Sequence, residues 1–407
     1  MKRKRILFVD DQSNVLLALK RLLHGSLSEW ELTFTNSAAE ALDRLAQYEY
    51  DVVVSDMKMP GMSGIELLKI VRSQHPRAAR IILSGQFDQA EIEQSVELVH
   101  RYLSKPCDIE TLKSTIVEAC ALRDRITDAS LQQLIPTVSS LPSLPGLLAD
   151  LIRELHSEEP SMSRIAELMA SDVGMTTQLL HLVNSSFFGL PRQIENPKQA
   201  VSYLGLNIIR PLALSAGVFS QFDVASVRGF DITQFTHHSL CVSRIAEQVL
   251  RDLRADAASI GHACCAGIVH DVGHLVFAAF RAAEFQRALD QAEDSQRPLR
   301  LVEREVFGAD HAEVGAQLLG LWGLPTPIVD AVRWHHNPSS SENSGKLLPL
   351  TGVHIADNLV NQLTNGPHVC TEELDTNYVD QFGIRVQIPA WQELARVVIE
   401  RRTQDAA

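Results

Sequence analysis

DVVVSDMKMPGMSG, residues 51–64, running on into IELLKIVRSQ, residues 65–74, decides the fold of the first part of this chain. The valine run has the length of one strand buried on both faces, it ends on Asp56, and the residues after Gly64 repeat at helical spacing. The same unit recurs on either side. ILFVD (6–10) leads into VLLALKRLLHG (15–25), and WELTFT (30–35) into AAEALDRLAQ (38–47). Downstream, ARIILSG (79–85) leads into AEIEQSVELV (90–99), and RYLSKP (101–106) into IETLKSTIVEACALRDRI (109–126). Five strand–helix pairs predict an α/β doubly wound parallel sheet, (βα)5, with helices on both faces. In such sheets ligands bind outside the carboxyl ends of the strands. Asp10 and Asp11, Asp56, Ser84 and Lys105 all fall at those ends. Crowded carboxylates repel one another and call for a hard divalent cation such as Mg²⁺. With the cation present, Asp56 is free as a nucleophile, while the Lys105 ammonium and the Ser84 hydroxyl are placed to hold phosphoryl oxygens.

Through FVDD, VVSDMKMPGMSG, LSG and YLSKP, about residues 4–123 resemble the receiver domain of two-component response regulators, a flavodoxin-like fold. The resemblance implies that Asp56 is the phosphoacceptor and that Asp11, Asp56 and the backbone carbonyl of Lys58 bind Mg²⁺, with Asp10 assisting. It also implies a switch pair, Ser84 and Tyr102, and a sensor histidine kinase as phosphoryl donor. Gln86 and Phe87 depart from it, standing where smaller residues are common. The expected boundaries are a receiver at 1–124, a helical linker at 125–135 and an output domain at 136–402.

From about Leu131 helical patterns dominate and no convincing strand is read, which predicts a large all-α domain. LPSLPGLL (141–148), LLHLVNSSFFG (179–189), QAVSYLGLNIIRPLAL (199–214), GIVHDVGHLVF (267–277), HAEVGAQLLGLWGLP (311–325) and AVRWHH (331–336) resemble the HDOD family, a branch related to HD-type metal phosphohydrolases. His270 and His274, four residues apart, are expected on one helix face. Asp310 with Glu313 reads as a capping pair that puts His311 at a helix N-terminus. By the resemblance, His238, His270, Asp271 and Asp357 would hold a first divalent transition metal, and His311, His335 and His336 a second. Imidazole with carboxylate suits Zn, Fe, Mn or Ni. Two departures oppose catalysis: His274 replaces the lysine of cyclic-dinucleotide phosphodiesterases, and NPSSSENSG (337–345) replaces their GYP loop. Val173 stands where a proline is usual. Trp322, Trp334, Cys264 and Cys265 read as packing residues, and Asn184 and Ser185 as the close of a helix.

With 37 Lys+Arg against 50 Asp+Glu, the net charge of -13 disfavours nucleic acid and anionic lipid, and no basic reading helix appears, so a DNA-binding output is not expected. No run is read as a membrane span. Six cysteines without CxxC spacing point to a reducing, cytoplasmic setting. Two functions remain. One is a phosphorylation switch whose output domain works by protein interaction, with signalling partners that include enzymes of cyclic-dinucleotide turnover, or by homodimerisation. The other is a receiver-controlled metal phosphohydrolase acting on nucleotides or cyclic dinucleotides.

Overall fold

The computed structural model describes residues 3–24, 30–85, 98–125, 131, 134–135, 138, 141–142, 150–151, 154–155, 159–183, 194, 196–205, 209, 219–220, 227–341, 349–364 and 373–405. The chain divides into two compact units, the first built on residues 1–139 and the second chiefly on 140–407.

In the first unit, β1 (Lys4–Val9), β2 (Trp30–Thr35), β3 (Val52–Asp56), β4 (Ala79–Ser84) and β5 (Arg101–Ser104) form one sheet in the order β2-β1-β3-β4-β5. Every pairing is parallel, with Ile6 opposite Val52, Val54 opposite Ile81 and Ile82 opposite Tyr102. The apolar runs read as doubly buried strands are so: Ile6 to Val9, Val52 to Val54, and Ile81 and Ile82 are all in the core. Around the sheet lie α1 (Ser13–Leu22), α2 (Ala38–Gln47), α3 (Gly64–Gln74) and α4 (Ile109–Arg125). Ser63 and Glu66 cap α3 reciprocally, so this helix starts immediately beyond the loop that follows Asp56. At Gly64 an added Cβ would meet the Asp56 carbonyl oxygen at 1.9 Å, so only glycine lets the helix start this close to β3. The helix expected over residues 90–99 falls mostly outside the described residues, as do Gln86, Phe87 and most of the 125–135 linker.

The second unit is helical, with one exception to the sequence reading: Leu141–Pro142 (β6) and Phe219–Ser220 (β7) pair as a two-residue parallel ladder. Two residues carry too little alternation to be read as strands. The helices are α5 (Met162–Ala170), α6 (Val173–Val183), α7 (Pro197–Leu204), α8 (Ile232–Asp252), α9 (Ala257–Val269), α10 (Val272–Phe280), α11 (Ala282–Ser295) and α12 (Leu299–Phe307). They continue with α13 (His311–Leu321), α14 (Thr326–Trp334), α15 (Pro349–Thr364), α16 (Thr376–Asp380) and α17 (Ile388–Asp405). Helices α8, α9, α14 and α15 pack on one another and form the centre of the unit. The run Ala257–Phe280 does reach the length and apolarity of a membrane span, contrary to the sequence reading, but most of it is buried inside this core. It is also not one helix. The chain leaves helical geometry at Asp271, immediately after His270, where α9 ends and α10 begins. The expected one-face pair His270/His274 is thereby split across two helices. Trp322 and Cys265 are core residues as expected, whereas Trp334 and Cys264 are only half-buried. Asn184 and Ser185 lie outside the described residues.

Candidate functional site

Parallel strands ending at one edge bring the first group together. Asp10 follows β1, Asp56 ends β3, and their carboxylates with that of Asp11 have oxygens within 4.8 Å of one another. Lys105, just past β5, places its Nζ 2.6 Å from Asp10 Oδ2 and 3.1 Å from Asp56 Oδ1. The Gln12 N–H donates to Asp10 Oδ1 and the Met57 N–H to Asp56 Oδ1, so both carboxylates are held in fixed rotamers. Burial raises the Asp56 carboxyl above its usual range; Lys105 pulls it down and Asp10 pushes it up again. Asp11 Oδ1 is buried without a hydrogen-bond donor. An acceptor-only oxygen left bare beside two more carboxylates fits a divalent cation with oxygen ligands. Ser84 ends β4, buried, and its carbonyl accepts the Lys105 N–H at 2.7 Å, which ties the two strand ends together. Lys58 is exposed just beyond β3. The backbone of Tyr102 lies in β5; its side chain falls outside the described residues.

The second group lies in the core of the helical unit. His238 comes from α8, His270 and Asp271 from the α9–α10 junction, His311 from the start of α13, His335 and His336 from the end of α14, and Asp357 from α15. The structure gathers all seven. His238 Nε2 lies 3.2 Å from His270 Nε2 and 3.1 Å from Asp357 Oδ1. His311 Nε2 lies 2.9 Å from His336 Nε2 and 3.3 Å from Asp271 Oδ1, and His335 Nε2 is 3.5 Å from the same oxygen. The other Asp271 oxygen, Oδ2, is 3.2 Å from His270 Nε2. The two expected sets are therefore not separate: Asp271 faces His270 with one oxygen and His311 and His335 with the other. The Asp310–Glu313 pair caps α13 reciprocally, as its spacing predicts.

The imidazoles are oriented from outside the cluster. His270 Nδ1 contacts the Gly267 carbonyl at 2.9 Å and His335 Nδ1 the Val332 carbonyl at 2.7 Å. A carbonyl only accepts, so each Nδ1 carries a hydrogen, and in the neutral ring, the form that binds metal, each Nε2 turns a lone pair inward. Asp271 Oδ1 and His335 Nε2 make no hydrogen bond although both are fully buried. Close Nε2–Nε2 contacts and bare buried acceptors around shared carboxylates are a donor set that fits divalent transition cations. The electrostatics agree. Burial penalises every charge here, yet the surrounding imidazoles hold Asp271 and Asp357 well below the usual carboxylate range. Burial likewise opposes a charged His270, but Asp271 and Asp357 outweigh it and push the imidazole up to about 10. Protons thus collect where positive charge is demanded.

Two residues outside the expected sets join this cluster. His274 Nε2 is 2.9 Å from Glu303 Oε1, and the His274 ring lies over that of His311 with centroids 3.9 Å apart. Glu303, on α12, is completely buried. Its signal in the sequence is positional: Leu299, Val302, Glu303 and Phe307 share the buried stripe of an otherwise polar-backed helix, so a carboxylate sits where an apolar residue is the rule.

Comparison with known proteins agrees with both units. The family model for the response regulator receiver domain matches residues 6–117, and that for the HDOD domain matches residues 141–338. The chain thus carries a response regulator receiver domain followed by an HDOD domain. It is similar to an uncharacterized protein of Treponema pallidum, 26% identical over 232 residues, 57% of this chain and 42% of that protein. It is also similar to the DNA-binding transcriptional regulator NtrC of Escherichia coli, 32% identical over 178 residues, 43% of this chain and 35% of that protein. The chain thus spans less than half the length of these two relatives. Among solved structures, the MmoQ response regulator of Methylococcus capsulatus aligns at 24% identity over 62% of this chain and 98% of that one, with a TM-score of 0.48. The signal receiver domain of an HD domain-containing protein of Pseudomonas fluorescens aligns at 36% identity over 30% of this chain and 96% of that one, with a TM-score of 0.28.

Proposed function

We propose that Asp56 accepts a phosphoryl group from a sensor histidine kinase, and that this state controls the helical domain as a signalling output. The observation that carries the reading is the position of the Lys105 ammonium, 2.6 Å from Asp10 and 3.1 Å from Asp56, on the edge where three carboxylates meet. A carboxylate oxygen of Asp56 attacks phosphorus, the bond to the donor nitrogen breaks, and that nitrogen leaves with the proton it needs. Lys105 exchanges its contact with Asp56 for one with a phosphoryl oxygen, and the Ser84 hydroxyl donates to another. Asp10, Asp11, Asp56 and Lys58 would hold Mg²⁺, which offsets the charge brought by the phosphoryl group. With Ser84 and Tyr102 following the new charge, the edge formed by β4 and β5 changes its surface, and this is the signal. Acetyl phosphate with Mg²⁺ should label the wild-type chain and leave Asp56→Asn unlabelled; equal labelling of both would refute the assignment.

In the output domain His238, His270, Asp271, Asp357, His311, His335 and His336 would hold divalent transition metal. We read this centre as the internal frame of an interaction module, consistent with His274 and the absence of GYP after the tandem histidines. One observation favours the second reading, hydrolysis of a phosphoester: Asp271 turns one oxygen to each ligand group, which is how two cations are held side by side in hydrolytic centres. Metal analysis of the purified full chain separates the cases. Two equivalents in the wild type and none in His270→Ala support the centre, and turnover of a phosphodiester by the loaded protein would promote the second reading over the first.

A further inference from the structure

We propose that Glu303 is the residue that fixes His311 as an Nε2 donor to the output-domain metal centre, and that it does so from a helix, α12, that contributes no ligand itself. The inference rests on the metal reading above and adds a second tier to it.

The geometry is specific. Glu303 Oε2 receives the His311 backbone N–H at 2.9 Å and lies 2.6 Å from His311 Nδ1. A carboxylate has no hydrogen to give, so Nδ1 must carry it. In the neutral ring His311 Nε2 then keeps its lone pair, and that atom is the one facing Asp271 and His336, at 3.3 and 2.9 Å. A single carboxylate oxygen thus grips both the backbone and the ring of one residue. The χ angles of His311 are locked and its tautomer is chosen. The other oxygen, Oε1, lies 2.9 Å from His274 Nε2, so the same side chain holds the histidine that takes the place of a lysine in the related phosphodiesterases. Phe235 and Phe285 close on the His274 ring, with centroids 6.5 and 5.7 Å away. The carboxylate is completely buried, and away from water an oriented charge acts strongly on its neighbours.

A carboxylate behind a metal-binding imidazole typically accounts for about 10–100-fold in metal affinity. Glu303→Gln keeps the shape and removes the charge; its amide can donate as readily as accept, so it no longer dictates the tautomer of His311. The test uses the full chain. Metal is removed, Zn²⁺ and Co²⁺ are titrated back, and the histidine ring nitrogens are read by long-range ¹H–¹⁵N correlation in the metal-free protein. The expected result is a 10–100-fold loss of Zn²⁺ affinity in Glu303→Gln, an altered Co²⁺ spectrum, and loss of the Nδ1–H form of His311 that the wild type displays. Glu303→Asp, which keeps the charge on a shorter arm, should recover part of the affinity. An unchanged affinity with an unchanged His311 tautomer overturns the proposal. A wild type that binds neither cation sinks the metal reading instead, and the tautomer spectrum alone then decides the role of Glu303. Should Glu303→Gln fail to fold, the comparison is made between Glu303→Asp and the wild type, where equal affinities overturn the proposal.

Discussion

Replacing Gly273 by alanine should dismantle the output-domain metal centre while leaving the receiver untouched. Gly273 is the second residue of α10, two residues after Asp271, and there the backbone of α10 meets the start of α13. A Cβ on residue 273 would stand 2.1 Å from the His311 carbonyl oxygen and 2.7 Å from the His311 Cα and carbonyl carbon. Ordinary contact begins near 3.4 Å. The obstacle is main chain, so no rotamer change relieves it. The first turn of α13 must retreat by about 1 Å, carrying His311 with it, whereas a metal site tolerates ligand displacements of about 0.2 Å. Overpacking of this kind costs about 1–3 kcal/mol, and rigid partners on both sides place it near the upper end. For a domain of this size that lowers the melting temperature by roughly 5–10 °C. Circular dichroism with thermal melting gives the stability, and elemental analysis after reconstitution with Zn²⁺ gives the metal content. Phosphorylation of Asp56 by acetyl phosphate serves as the control in the other unit. A Gly273→Ala chain with wild-type metal content and wild-type melting would refute the reasoning, because the close approach would then not be what positions His311.

Lys105→Met should destabilise the metal-free receiver by about 1–3 kcal/mol, since it leaves the buried carboxylates of Asp10 and Asp56 facing each other without their shared ammonium. Added Mg²⁺ should raise its melting temperature more than it raises that of the wild type, a difference thermal melts at graded Mg²⁺ would read. Asp256 caps α9 through Ser259, and the hydrogen bond from the Ser259 hydroxyl, then that from the Ser259 N–H, holds its carboxyl below the usual range. A lowered carboxyl contributes stability that is present above its unfolded pKa and lost as pH falls through the folded one. Asp256→Ala should therefore cost about 1 kcal/mol near neutral pH, and the gap to the wild type should close below about pH 4 in urea titrations at graded pH. After loading with Mg²⁺ and Zn²⁺, desalting into EDTA should strip the proposed receiver cation at once and leave the proposed output-domain metal largely in place, as elemental analysis before and after would record.

Much of the receiver could be read from the chain because its physics is local. A strand covered on both faces needs a contiguous apolar run, as in residues 52–54, and parallel connection sends every such run to the same edge. Asp56 and Lys105 are therefore neighbours in space by topology alone, without knowledge of any side-chain contact. The helical unit is different. Its ligands are spread from His238 to Asp357, and no periodicity brings them together; only the family resemblance did. Two features escaped. HACCAGIVHDVGHLVFAAF (262–280) reads as one unbroken apolar helix, and the turn at His270 and Asp271 comes from tertiary demands. His270 keeps its Nδ1 on the Gly267 carbonyl, and Asp271 turns out of the helix so that its two oxygens can face two histidine groups. Glu303 escaped because its one sequence signal, a carboxylate on the apolar stripe of α12, is easily lost among the other charged residues of that helix.

The two units meet the same difficulty, crowded carboxylates, in different ways, and this sets how tightly each should keep a cation. In the receiver Lys105 is a permanent positive charge inside the cluster. It already offsets part of the repulsion, so a divalent cation adds little and must compete with an ammonium for the same oxygens. Binding there is expected to be weak and exchangeable, which would suit a pocket that opens to a phosphoryl group. In the output domain Asp271, Asp357 and Glu303 are each buried against imidazoles, which are neutral unless they take a proton. Three buried carboxylates leave a charge that protons on His270 and His311 offset only in part and two divalent cations can balance, with room for a bridging anion. Nitrogen donors also favour transition metals over Mg²⁺, and α12 walls the cluster from behind. The cation there is expected to stabilise the fold and to leave slowly, and its removal by prolonged chelation should coincide with a drop in melting temperature of the output domain alone.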